Sequence, residues 1–212
     1  MSEELWSWID YKIHSPRYDD PCKHMTRIDA EVTASLSDED GDEDIVARAG
    51  FYFVDLDNAF DDGDSPHFIL DMESSTAPFM ALYQHDSENG SWSFSDKMDL
   101  DDAVIFNFNL LIFDRIEVLP DFRGRGITRM VWEDALRLFG QGASIAALKT
   151  FPLQFEAGIK RGELSEWDKK LGLDKLGGNE EKAFNSLALH YAQLGFNLFG
   201  EGNLMYRPIL EY

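Results

Sequence analysis

Residues 104–142 read VIFNFNLLIFDRIEVLPDFRGRGITRMVWEDALRLFGQG, and the change of pattern inside this stretch decides the fold. From Val104 to Val118 β-branched and aromatic residues crowd together and stop at Pro120. That is the signature of a long buried strand, or of two strands joined near Asn107–Asn109. Beyond the glycines at 124 and 126, Ile127, Met130, Val131, Ala135 and Leu138 recur at helical spacing, an apolar stripe that Gly140 and Gly142 close. A strand that turns through glycines into a helix gathers backbone N–H groups at the positive end of the helix dipole, where phosphate oxygens are held well. Arg123, Arg125 and Arg129 add positive charge there, so an anion site is expected. A glycine-rich strand-to-helix connection with surface arginines is the plainer alternative. The Walker turn G-x-x-x-x-G-K-[ST] is absent, and Arg129 stands where G-x-G-x-x-G needs its third glycine, which disfavours a nucleotide triphosphatase and a dinucleotide dehydrogenase.

Working outward, SIAALKTF at 144–151 reads as another buried strand. A polar stretch with a short helix around Trp167 follows, then a second strong helix from Glu180 to Leu194, stopped by Gly195. Short strands are expected at Phe196–Phe199 and Leu204–Pro208. Upstream, Met25–Leu36 and Ile45–Leu56 alternate as two strands of a hairpin around the acidic turn SDEDGDED at 37–44. The stretch DNAFDDGDSP at 57–66 ends the second strand and leads into a helix-like segment, where Met72, Thr76, Phe79, Met80 and Tyr83 fall at helical spacing, with Pro78 near a first turn or a kink.

The chain has 212 residues and a net charge of -21, and that charge is unevenly placed. Residues 29–102 hold 21 acids against 2 bases, whereas residues 103–212 hold 14 acids against 13 bases. Such a surface repels phosphate backbones, so neither nucleic acid nor an anionic membrane is an expected partner, and an anionic ligand would dock in the near-neutral second half. The opening MSEELWSWIDYK carries acids where a leader carries positive charge, no apolar run is long enough for a membrane span, and Cys22 is the single cysteine. A cytoplasmic location without disulfides is expected. Asp38, Asp40 and Asp42 imitate the opening of a calcium loop, but Glu43 replaces the required glycine. The five histidines show no zinc spacing, and no G-x-S-x-G elbow exists, so no metal site or serine nucleophile is expected.

Two segments together resemble the GNAT superfamily of acyl-CoA-dependent N-acetyltransferases. That family's loop pattern is Q/R-x-x-G-x-G/A after a strand ending in Val-x-Pro; here Arg123, Gly126 and Thr128 take the three positions after Val118-Leu119-Pro120. Thr128 departs from the small residue usual at the last position. About 65 residues on, LALHYAQLGF resembles the family's second helix, which ends in Tyr-x-x-Leu-Gly-Phe, with Tyr191, Leu194, Gly195 and Phe196 matching. The Asn often found seven residues before that tyrosine is replaced by Phe184, with Asn185 one place late. The likeness covers roughly residues 104–151 and 184–208.

The resemblance implies an α+β fold with a splayed mixed sheet flanked by helices, formed by one domain over 1–212 with an atypical acidic part at about 1–103 and an insertion at about 152–183. It further implies that the strand segment Ile116, Glu117, Val118 holds the pantetheine arm of acetyl-CoA, with the amides of Ile116 and Val118 polarising the thioester carbonyl. The turn Arg123, Gly124, Arg125, Gly126, Ile127 and Thr128 would take the pyrophosphate, and Asn185 would add a cofactor contact. Tyr191 would be the general acid that protonates the departing thiolate after direct attack by a neutral amine. Glu117, Glu156, His190 or a water chain are the candidate bases. The acceptor would be a small amine or a lysine-rich peptide, cationic if the acidic third steers it. The competing reading is an acyl-CoA-binding module of the same shape without turnover.

Overall fold

Alternation of side chains along the central strands sets the layers. The computed structural model describes residues 6–16, 21–35, 44–100, 105–156, 162, 164–176 and 178–209. Its strands are β1 (Trp6–His14), β2 (Met25–Ser35), β3 (Asp44–Val54), β4 (Tyr83–His85), β5 (Trp92–Phe94), β6 (Leu110–Val118), β7 (Ile145–Lys149), β8 (Asn197–Leu198) and β9 (Leu204–Pro208). Its α-helices are α1 (Leu56–Asp61), α2 (Pro66–Leu70), α3 (Ile127–Phe139), α4 (Glu166–Leu171) and α5 (Glu180–Ala192). Seven strands form one open sheet in the order β1-β2-β3-β6-β7-β9-β8. Every neighbouring pair is antiparallel except β6 and β7. The architecture is therefore mixed α+β.

Because successive strand residues face opposite sides, the sheet carries two cores. Leu111 and Phe113 of β6 and Ala146 and Leu148 of β7 pack under α3, through Ile127, Val131, Trp132 and Ala135, and under Tyr191 of α5. Their neighbours Leu110, Ile112, Ile145 and Ala147 pack on the other face against α1, α2 and the 3-10 turn Ala77–Leu82. The long crossover between β3 and β6 therefore covers one face, and the two main helices cover the other.

The parallel pairing of β6 with β7 is short. It joins Leu110–Phe113 to Ile145–Leu148 and then ends, while β6 runs on to Val118 paired with β3 alone. At the parting point Phe51 faces Phe113 and Gly50 faces Arg115, so Asp114 is an extra residue without a partner in β3. Such a bulge bends a strand, and here it coincides with the divergence from β7.

Several local expectations need correction. The strand expected from Val104 starts at Leu110, because Asn107 and Asn109 divert the backbone. Asn107 Oδ1 accepts from the amides of Asn109 (2.9 Å) and Ser144 (3.0 Å), and both asparagine Nδ2 groups donate to the Gly142 carbonyl at 2.9 Å. The helical spacing of Met72–Tyr83 yields only the 3-10 turn leading into β4. The buried Thr76 hydroxyl donates to the carbonyls of Leu70 (2.7 Å) and Glu73 (3.0 Å), and Pro78 brings no N–H to the following turn. Within the acidic stretch 57–66 lies most of α1, whose start is capped by the Asp55 carboxylate accepting from the Asn58 amide at 3.2 Å. β1 is a further strand, in which Ile9, Tyr11 and Ile13 alternate with Asp10, Lys12 and His14. Most of the SDEDGDED turn, with Asp38, Asp40 and Asp42, lies outside the described residues. Among the described residues no helix is long and apolar enough to cross a membrane.

Candidate functional site

Where β6 and β7 part, a cleft of about 990 Å³ opens, walled by the free edge of β6, the glycine turn before α3, and α5. That volume is at the upper end of the range typical for small-molecule and cofactor sites. The Leu119 amide donates to the Val46 carbonyl of β3 at 2.9 Å. Alternation along the strand then turns the N–H groups of Ile116 and Val118 away from β3 and into the gap. The Val118 carbonyl, on that same side, accepts from Arg123 Nε at 2.9 Å. Glu117 projects from the opposite face of the strand and is buried.

The turn has the conformation that only glycine adopts easily. Gly124 and Gly126 stand at φ +74° and +84°, and a Cβ built on either would meet nothing within 4 Å, so open space lies over the turn. Gly126 is the N-cap of α3, and the Met130 amide donating to the Gly126 carbonyl at 3.0 Å precedes the regular helical ladder. The amides of Ile127, Thr128 and Arg129 come before that bond and have no acceptor within the helix. Ile127 anchors its side chain in the core, while Thr128, half-buried, and Arg129 line the cleft. Arg125 lies outside the lining, its Nε donating to the Asp121 carbonyl at 3.1 Å. The Arg123 guanidinium acts as a clasp. Besides Val118 it donates through Nη2 to the Leu171 carbonyl at 2.7 Å, and burial lowers its pKa from the ordinary value.

Tyr191 sits in the cleft wall, 8% exposed, its ring edge-on to Phe113 (6.1 Å) and Phe196 (6.1 Å). Its hydroxyl has no hydrogen-bond partner among the described residues, and burial pushes its pKa well above the ordinary phenol value. His190 also lines the cleft, and burial together with Arg129 lowers its pKa, which keeps the imidazole neutral near pH 7. Asn185 is exposed and does not reach the cleft. Its neighbour Phe184 instead meets Phe151 edge-on at 5.9 Å, so no cofactor contact is brought about at that position.

Nothing in the sequence pattern points to the network around Arg115. Its Nε pairs with Glu117 Oε1, and Nη1 and Nη2 grip the Glu156 carboxylate at 2.6 and 3.2 Å. Burial opposes the guanidinium charge, but Glu117 and then Glu156 prevail and raise its pKa. The second Glu117 oxygen accepts from the Trp167 indole at 2.7 Å, and Arg48 stacks over that indole at 4.4 Å. This latch fixes α4 to β6, and Leu171, Leu173 and Leu176 from the same region line the cleft. Both glutamates considered as bases are therefore engaged. Replacing Arg115 by methionine would leave Glu117 and Glu156 without their shared cation. We expect amide-exchange protection across Glu166–Leu171 to fall roughly tenfold or more, whereas unchanged protection would mean that the latch does not hold α4.

The third acid of the lining, Asp114, pairs with Arg27 Nη1 at 2.6 Å. Arg27 reaches it by crossing β3 at Gly50, where any side chain would collide with the guanidinium. All three lining carboxylates are thus ion-paired, while Lys149 at the end of β7 has no ion-pair partner among the described residues. Among those residues no group of three or more His, Cys, Asp or Glu is placed to hold a metal ion. Comparison with protein-family models, curated proteins and solved structures returns no match.

Proposed function

We propose that this chain transfers an acetyl group from acetyl-CoA to a primary amine, in the manner of the GNAT enzymes that its sequence resembles. One observation carries the reading: the two parallel strands separate directly beside a positive-φ glycine turn at a helix start, with a buried tyrosine in the wall of the gap. The amides of Ile116 and Val118 are free to hydrogen-bond an extended pantetheine arm. Those of Ile127, Thr128 and Arg129 are free to bind phosphate oxygens. Acetyl-CoA supplies an activated thioester. When the amine nitrogen bonds to the acetyl carbon and the carbon–sulfur bond breaks, the Tyr191 hydroxyl gives its proton to the sulfur and is restored from solvent. Neutral His190, in the same wall, is suited to take the proton that the amine loses, directly or through water. The acidic surface of residues 29–102 favours cationic amines at encounter, an advantage that salt removes.

A second reading, an acyl-CoA-binding protein without turnover, draws support from the engagement of Glu117 and Glu156 by Arg115 and of Arg123 by two carbonyls. Acetyl-CoA titration separates the readings when melting temperature and free-thiol release are followed together over a panel of amines. We expect a raised melting temperature, since a ligand held by the native state alone stabilises it, and amine-dependent thiol release. Stabilisation without thiol release favours the second reading; no stabilisation overturns both.

A further inference from the structure

We infer that the chain forms a two-fold symmetric dimer in which β1 pairs antiparallel with β1 of a second copy, joining two sheets into one of fourteen strands. β1 is an edge strand nine residues long, paired with β2 along its whole length and with nothing on its other side among the described residues. A long edge is a row of unpaired N–H and C=O groups, an open template for another strand. Two large apolar side chains stand on it in water, Trp8 at 41% and Ile13 at 56% exposure.

The sequence of the strand, WSWIDYKIH, chooses both the occupant and the register. A two-fold axis perpendicular to the sheet keeps each face on its own side, so it must pass through a residue rather than between two. An axis at Asp10 sets aspartate against aspartate, and one at Lys12 sets lysine against lysine, both unfavourable for residues directly opposite. An axis at Tyr11 sets Asp10 against Lys12 twice. It also brings Ile9 against the exposed Ile13 and Trp8 against His14, which covers both exposed apolar side chains. A lysine on an edge usually discourages pairing; here an aspartate two residues away on the same face makes the edge complementary to itself. The opposite edge, β8, has only two residues and offers no comparable template.

Sedimentation velocity on the full chain tests this. The wild-type protein should run at twice 24.2 kDa. Asp10→Lys and Lys12→Asp, which each place like charges opposite one another twice, should raise the dissociation constant roughly tenfold or more. Mixed together, the two variants should associate again, because the two cationic positions of one copy then face the two anionic positions of the other across the axis. A monomeric wild type, or a dimer unaffected by either variant, would overturn the inference. Failure of the mixture to associate, with both variants folded by circular dichroism, would overturn the register.

Discussion

Replacing Tyr191 by phenylalanine should lower turnover roughly ten- to a thousandfold while leaving acetyl-CoA affinity within about twofold. The substitution removes one oxygen from a ring held between Phe113 and Phe196, so the packing survives and only the hydroxyl proposed as the proton donor is lost. Since burial raises the phenol above its ordinary value of 10.0, the donor form persists through neutral and mildly alkaline solution. The wild-type rate should accordingly rise with pH as the amine loses its proton, with no falling limb near 10. The same shift has a stability consequence. Tyr191 binds its proton more tightly in the folded chain, so its contribution is whole below the unfolded value and declines as pH climbs toward the folded one. Urea titrations above pH 10 should show a shallower alkaline loss in the variant. Full turnover in Tyr191→Phe would assign the proton to another group; loss of cofactor binding would make the tyrosine structural.

Gly126→Val should abolish the rise in melting temperature caused by acetyl-CoA. A β-branched residue resists φ +84°, at a cost of about 1–2 kcal/mol, and forcing the turn toward negative φ swings the amides of Ile127 and Thr128 away from the cleft. Strain alone could lower stability, so the comparison that matters is Gly63→Val, at φ +85° in a loop away from the cleft. Both variants should melt earlier, but only the one at 126 should lose its response to ligand. An unchanged response in Gly126→Val would remove the turn from the binding site.

What could be read from the sequence was local. The passage from β6 through the glycines to α3 announces itself because β-branched crowding, a proline stop, positive-φ residues and an apolar stripe all lie within forty residues. β1 sends a weaker signal: Ile9, Tyr11 and Ile13 alternate with Asp10, Lys12 and His14, but the exposed Trp8 and Ile13 fall on opposite faces and blur which face is buried. The Met72–Tyr83 spacing misled because helical periodicity says nothing about a buried threonine hydroxyl that takes the Leu70 carbonyl, or about Pro78, which brings no N–H. The cleft's electrostatics were hidden for a different reason. Arg115 finds Glu156 41 residues away, and Glu117 finds Trp167 50 residues away, partners that only the folded sheet brings together. The acids that line the cleft, Asp114, Glu117 and Glu156, all come from the near-neutral second half, and none of the described acids of 29–102 is among them.

The passage of Arg27 over Gly50 has a consequence for descent. Position 50 is an interior strand residue without the positive φ that would demand glycine, so its own backbone gives no reason for the choice. Yet a methyl group there would displace the guanidinium that neutralises Asp114 at the mouth of the parted strands. Glycine at 50, arginine at 27 and aspartate at 114 therefore form one heritable unit drawn from three distant places in the chain. A lineage that shortened the side chain at 27 would release 50 to accept alanine and leave a bare carboxylate at 114, so neutral drift at the first position reaches the chemistry of the third.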